Sequence, residues 1–207
     1  MVDEQRIDTA RIEAAVTELL LAIGEDPARD GLAETPRRVA EAWREYFCGI
    51  GVDPTTHLSG SIAPEVSEAS GPVIMRGIEF RSMCEHHLVP MLGVAHVAYA
   101  PRDRVVGLGA LPRVVATVAS RPQLQERLTE QIADALEAGL DARGVLVVVE
   151  ASHGCVTARG PRQAGSTTVT LASRGTLDEP AARTEIVALM TRRDDGARFE
   201  HAAEDGR

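Results

Sequence analysis

Residues 83–90 read MCEHHLVP and place Cys84, His86 and His87 within four positions of a chain that holds only three cysteines and six histidines. Cys84 and His87 are three apart, a spacing that lets a thiolate and an imidazole converge on one ion from a turn. A second segment, EASHGCV at 150–156, sets His153 and Cys155 two apart; on a strand that spacing directs both side chains to one face. Cys84, His87 and Cys155 make a Cys2His set, one donor short of a closed structural zinc site, with the vacant vertex left for water. Zinc lowers the pKa of such a water to roughly 7. Thiolate and imidazole donors disfavour magnesium and calcium, while ligand type alone leaves zinc and ferrous iron both open. His86 and His153 adjoin the ligands without joining them. Imidazoles titrating near neutrality suit proton delivery to a leaving nitrogen and proton removal from water, a role that competes with plain hydrogen bonding around the ligands.

The elements that must position these residues follow from period and punctuation. Ile12, Val16, Leu19, Leu20 and Ile23 predict a helix over 8–24, capped by Asp8 or Thr9 and stopped by Gly24. Thr35 as cap and Pro36 in the first turn predict a second helix, on which Val39, Trp43 and Phe47 align. Cys48, beside Phe47, reads as core, and 49–71 as a long loop. Strands are expected at 72–80 and 94–100, with the break between them carrying the cluster. Helices follow at 111–120 and 123–140, the latter with Leu124, Leu128, Ile132, Leu136 and Leu140 on one face; then come strands at 144–156 and 165–173 and a closing helix. From Thr191 the tail is charged and aperiodic, which predicts fraying or disorder. The order gives an α+β fold with an antiparallel sheet, organised as N-terminal helices and loop (1–71), a catalytic domain (72–190) and a tail (191–207).

At 207 residues the chain can bury a real core. An odd number of widely spaced cysteines argues against a disulfide framework and for a reducing compartment. The N-terminus lacks a basic start and apolar run, and no stretch approaches the ~18 apolar residues of a membrane span, so a soluble, cytoplasmic protein is expected. A net charge of −9 and a pI near 5.2 disfavour sequence-independent nucleic-acid binding, and six aromatic residues are too few for a single-strand stacking platform. All 22 basic residues are arginine; cationic work falls to guanidinium.

The segments CEHHLVP, HVAYAP, RPQLQERLTEQI, EASHGCVTARG and STTVT resemble GTP cyclohydrolase I in order and spacing, from about Thr35 to Met190. The resemblance implies Cys84, His87 and Cys155 as zinc ligands and His86 and His153 as catalytic histidines. It implies opening of the imidazole ring of GTP at C8, loss of C8 as formate, and rearrangement and reclosure to 7,8-dihydroneopterin triphosphate. It sets Glu126 on guanine, where a carboxylate accepts from N1–H and the exocyclic amine together, with Gln125 beside it. Arg113 and Arg159 match phosphate-binding positions, suited by the guanidinium fork, and Glu85 and Leu108 are placed with the substrate. The implied architecture is the tunnelling fold, assembled as a homodecamer with sites between subunits.

One stretch departs from the family pattern. Where GLSK is usual, this chain reads GLGA, so Gly109 and Ala110 stand in place of Ser and Lys. A hydrogen bond to a charged group contributes about 1.5–3 kcal/mol, so loss of the lysine alone could weaken triphosphate binding by roughly 10- to 150-fold. Three readings follow: an arginine takes over, the substrate is a less phosphorylated purine, or the protein binds a purine or pterin without turnover. The retained metal donors and histidine pair count against the last.

Overall fold

The computed structural model describes residues 7–60 and 71–192. Helix α1 (Thr9–Ala22) begins at Asp8, whose carboxylate accepts from the Arg11 amide at 3.0 Å, as a cap should. It buries little beyond Val16 and Leu20 and packs on α2 (Thr35–Tyr46). Thr35 is not the cap of α2. Glu34 holds that position, Thr35 is the first helical residue, and its hydroxyl donates back to Gly31 O at 3.4 Å. Cys48 is exposed, against the expectation of a core thiol. The chain leaves the helix here and turns Phe47 and Gly49 inward instead. A Cβ on Gly49 would lie 2.0 Å from Thr117 O, so the backbone itself fills the space.

The expected loop over 49–71 contains a 3-10 turn at Pro54–Leu58 that buries Leu58; residues 61–70 lie outside the described ones. Strands β1 (Val73–Cys84), β2 (Pro90–Ala100), β3 (Pro122–Gln123), β4 (Gly144–His153) and β5 (Thr168–Gly175) form one sheet in the order β3-β1-β2-β4-β5. The four long strands pair antiparallel, and the short β3 lies parallel to β1. Helices α3 (Ala110–Ala119) and α4 (Gln125–Leu140) fall between the strand pairs. This is the ββααββ order of the tunnelling fold, and the α+β expectation holds.

The main core lies between the sheet and α3 and α4, where Phe80, Met91, Val97, Tyr99, Val147 and Val149 meet Val114, Val118, Leu128, Ile132 and Leu136. On the opposite face α6 (Pro180–Thr191) covers only one end, with Ile186 and Met190 against Ala98, Leu146 and Val148. Leu92, Val169 and Leu171 on the rest of that face are exposed.

The last strand runs over Thr168–Gly175 and not 165–173, and three further boundaries differ from the periodic reading beside the cluster. The break between β1 and β2 spans 85–89 rather than 81–93, because Ser82, polar but fully buried, donates to Ala119 O at 2.6 Å and so stays in the strand. The two residues of β3 carry no pattern that could announce a strand. And β4 stops at His153, so Cys155 lies on a one-turn helix, α5 (Gly154–Thr157), and not on the strand itself. The tail beyond residue 192 lies outside the described residues. No helix among those described is long and apolar enough to cross a membrane.

Candidate active site

The turn from Cys84 to Val89 is closed on itself. The Leu88 amide donates to Cys84 O at 2.8 Å and the Cys84 amide to Val89 O at 3.0 Å, with Leu88 at φ 48°, in the left-handed region that reverses the chain into β2. This brings His87 back over Cys84, with Nδ1 3.9 Å from Sγ. From the other side, α5 presses close: a Cβ on Gly154 would stand 2.9 Å from Pro90 O, and that approach delivers Cys155. The donor atoms of Cys84, His87 and Cys155 all lie within 4.8 Å of one another.

Zinc donors at about 2.3 Å for sulfur and 2.0–2.1 Å for nitrogen stand roughly 3.6–3.8 Å apart on a tetrahedron. The observed spacing fits such a site with slight contraction, and no fourth His, Cys, Asp or Glu joins the group among the described residues. Burial pushes the Cys155 thiol up, the neighbouring Cys84 pushes it further by charge and hydrogen bond, and Arg159 partly opposes them. A thiol held back from ionising by burial and by a neighbouring sulfur is one that a bound cation would deprotonate.

The expected catalytic pair divides in character. His86 is exposed, its ring perpendicular to that of His87 at 6.2 Å. His153 is half-buried; burial lowers its proton affinity and the Glu126 carboxylate partly restores it. Glu126 is exposed on the first turn of α4, next to Gln125, whose side chain meets His153. Gln125 is 2 % exposed, and its amide is engaged by Val149 O, Thr168 O, Thr170 Oγ1 and His153 Nε2. Glu85 is ion-paired with Arg127, whose Nε also donates to Gln123 Oε1 at 3.1 Å. Arg159 is exposed and close enough to act on Cys155.

Arg113 and Leu108 are not brought to this group. Both are exposed at the start of α3, a helix about 15 Å long whose far end, at Ala119, is the one that meets Ser82 near the metal donors. The Arg113 guanidinium lies 4.0 Å from where a Cβ on Gly109 would stand.

The periodic reading missed the supports. Ser82, Gln123, Gln125 and Thr129 are the buried polar residues among those described, and hydrogen bonds tie each to the strands or helices that carry the site. The i,i+4 spacings Gln123–Arg127, which runs from β3 into α4, and Gln125–Thr129, within α4, are the sequence signal for three of them, and Ser82 has none.

The GTP cyclohydrolase I family profile matches residues 12–191. A protein named GTP cyclohydrolase 1 from Leifsonia xyli subsp. xyli is 62% identical over 183 residues, covering 88% of this chain and 95% of that one. One of the same name from Rhodopirellula baltica is 52% identical over 187 residues, 90% of this chain and 80% of the other. A third, from Bacillus subtilis, is 48% identical over 192 residues, 92% and 100%. On these matches the chain belongs to the GTP cyclohydrolase I family.

Proposed function

We propose that this protein is a zinc-dependent GTP cyclohydrolase I that hydrolyses GTP to formate and 7,8-dihydroneopterin triphosphate. Two waters enter, one at each cleavage of C8, and one leaves when the second ring closes. The single observation that carries the reading is the convergence of Cys84, His87 and Cys155 from separate segments, with His153 and Glu126 alongside. Those three residues would hold the ion, which supplies an acidified water and polarises the atoms it touches.

The chain's own groups do the rest. Glu126 accepts from guanine N1–H and the exocyclic amine, a pair adenine does not offer, and so orients C8 toward the metal donors. His153, whose proton affinity burial lowers and Glu126 partly restores, acts as the base; His86, exposed to solvent, returns a proton to the departing nitrogen. Gln125 braces His153 from α4. Glu85, held by Arg127, fixes the ligand turn at the mouth of the site. Arg159 meets the anionic end of the substrate.

Arg113 and Leu108 reach the same substrate from a neighbouring subunit, in keeping with a homodecamer. The exposed start of α3 and the partnerless Arg113 guanidinium among the described residues support this assignment. With Gly109 leaving its side free, the Arg113 guanidinium has room to meet the phosphates. Free thiols support a cytoplasmic setting.

The test is incubation of the zinc-loaded protein with GTP, GMP, guanosine and guanine, following formate and pterin fluorescence. Formate and fluorescence from GTP at ordinary affinity are expected. Formate only from the less phosphorylated compounds, or from none, overturns the assignment.

A further inference from the structure

The Gln125 carboxamide is enclosed by protein on both sides, and its surroundings admit one orientation. Two backbone carbonyls, Val149 O at 3.1 Å and Thr168 O at 2.9 Å, stand on one side with Thr170 Oγ1 at 3.2 Å. Carbonyls only accept, so the amide NH2 faces them; a flipped amide would set its oxygen against both and leave buried acceptors unpaired. The threonines have the same polarity. The Thr129 hydroxyl donates to Gln125 O at 2.8 Å. At its 2.6 Å contact with Thr170 Oγ1 it therefore receives the Thr170 hydrogen, which leaves Thr170 an acceptor for the amide.

Gln125 Oε1 then points the other way, at His153 Nε2, 2.7 Å distant. An amide oxygen has no hydrogen to give, so Nε2 must supply it. We propose that Gln125 is a positioning residue that locks neutral His153 in the Nε2–H tautomer and leaves Nδ1 as the only ring atom able to take a proton. α4 thus sets the atom through which His153 works as well as the place where it stands. The catalytic consequence rests on the reaction proposed above; the tautomer does not.

Long-range proton–nitrogen spectra of the zinc-loaded full-length protein, labelled with 15N-histidine and recorded at a pH where His153 is neutral, read the tautomer directly. His153→Asn identifies the signals. The wild type is expected to show one tautomer, with hydrogen on Nε2. Gln125→Met, which fills the space without accepting, is expected to populate both tautomers and to lower kcat about tenfold, the worth of roughly one hydrogen bond, with KM for GTP within about twofold. Hydrogen on Nδ1 or a mixture in the wild type overturns the proposal, and that spectrum decides even if Gln125→Met fails to fold. So does a folded Gln125→Met with the wild-type tautomer. A locked tautomer without formate release from GTP defeats the reaction assignment and leaves this inference standing.

Discussion

His153 and His96 lie on neighbouring strands, β4 and β2, both half-buried, and in both burial depresses the ring's proton affinity. Their surroundings divide them. His153 ends its strand on the face covered by α3 and α4, with Glu126, Gln125 and the metal donors around it. His96 sits opposite Val148, five residues along, on the other face, with Arg76 further disfavouring its charge and Glu150 opposing. A depressed imidazole is therefore no mark of function by itself. What separates the two is convergence: metal donors from two segments meet beside one and not beside the other.

Removing that convergence should have the largest effect. Cys155→Ala leaves His153 a half-buried histidine with nothing to serve, much like His96. Elemental analysis is expected to find the bound metal lost, and formate release to vanish with it; retained stoichiometric metal would dissociate Cys155 from the ligand set. Next comes the direct contrast. His153→Ala should lower formate release by about 10²- to 10⁴-fold, the usual contribution of a general acid or base, with metal content unchanged, whereas His96→Ala should stay within about twofold. Equal losses in the two variants would erase the distinction.

A smaller effect is expected one residue along α4 from the brace. Glu126→Gln keeps the size and removes the charge that both offsets the burial of His153 and accepts from guanine. The loss of charge-assisted hydrogen bonding should lower kcat/KM for GTP by roughly 10- to 150-fold. Discrimination against inosine triphosphate, which lacks the exocyclic amine, should shrink at the same time. Unchanged discrimination would move guanine recognition elsewhere.

The two histidine environments were unequally legible. Cys84, His86, His87, His153 and Cys155 cluster in two short segments, so the chemistry was readable even though Cys155 proved to lie on α5 and not on the strand. The helices and long strands followed from apolar period, because each buries one face, α1 against α2 and the others against the sheet or α3 and α4. What positions the site was not readable. Gln125 owes its role to Val149, Thr168 and Thr170, partners 24 to 45 residues away, and no local spacing encodes such contacts. Cys48 failed for the opposite reason: a hydrophobic neighbourhood in sequence turned out to be the point where the chain leaves its helix.

The smallest expected effect belongs to His96 and concerns stability alone. In the fold its Nδ1 accepts from the Gly77 amide at 3.4 Å, an arrangement open only to the neutral ring. Unfolded, the ring titrates near 6.5; folded, its value is lower, by burial first and Arg76 second. Below about pH 6.5 the unfolded chain therefore binds the extra proton, and stability falls as pH drops toward the folded value, while above that range His96 adds no slope. His96→Gln removes the titration and keeps a polar side chain. Denaturant unfolding at pH 7.5, 6.5 and 5.5 should show the wild type losing more stability than the variant across the lower step. The difference should be well under the one-proton limit of about 1.4 kcal/mol per pH unit, because the ring is partly in solvent. Parallel curves would mean that Glu150 holds the proton on His96 in the fold, and the two histidines would then differ in protonation as well as in company.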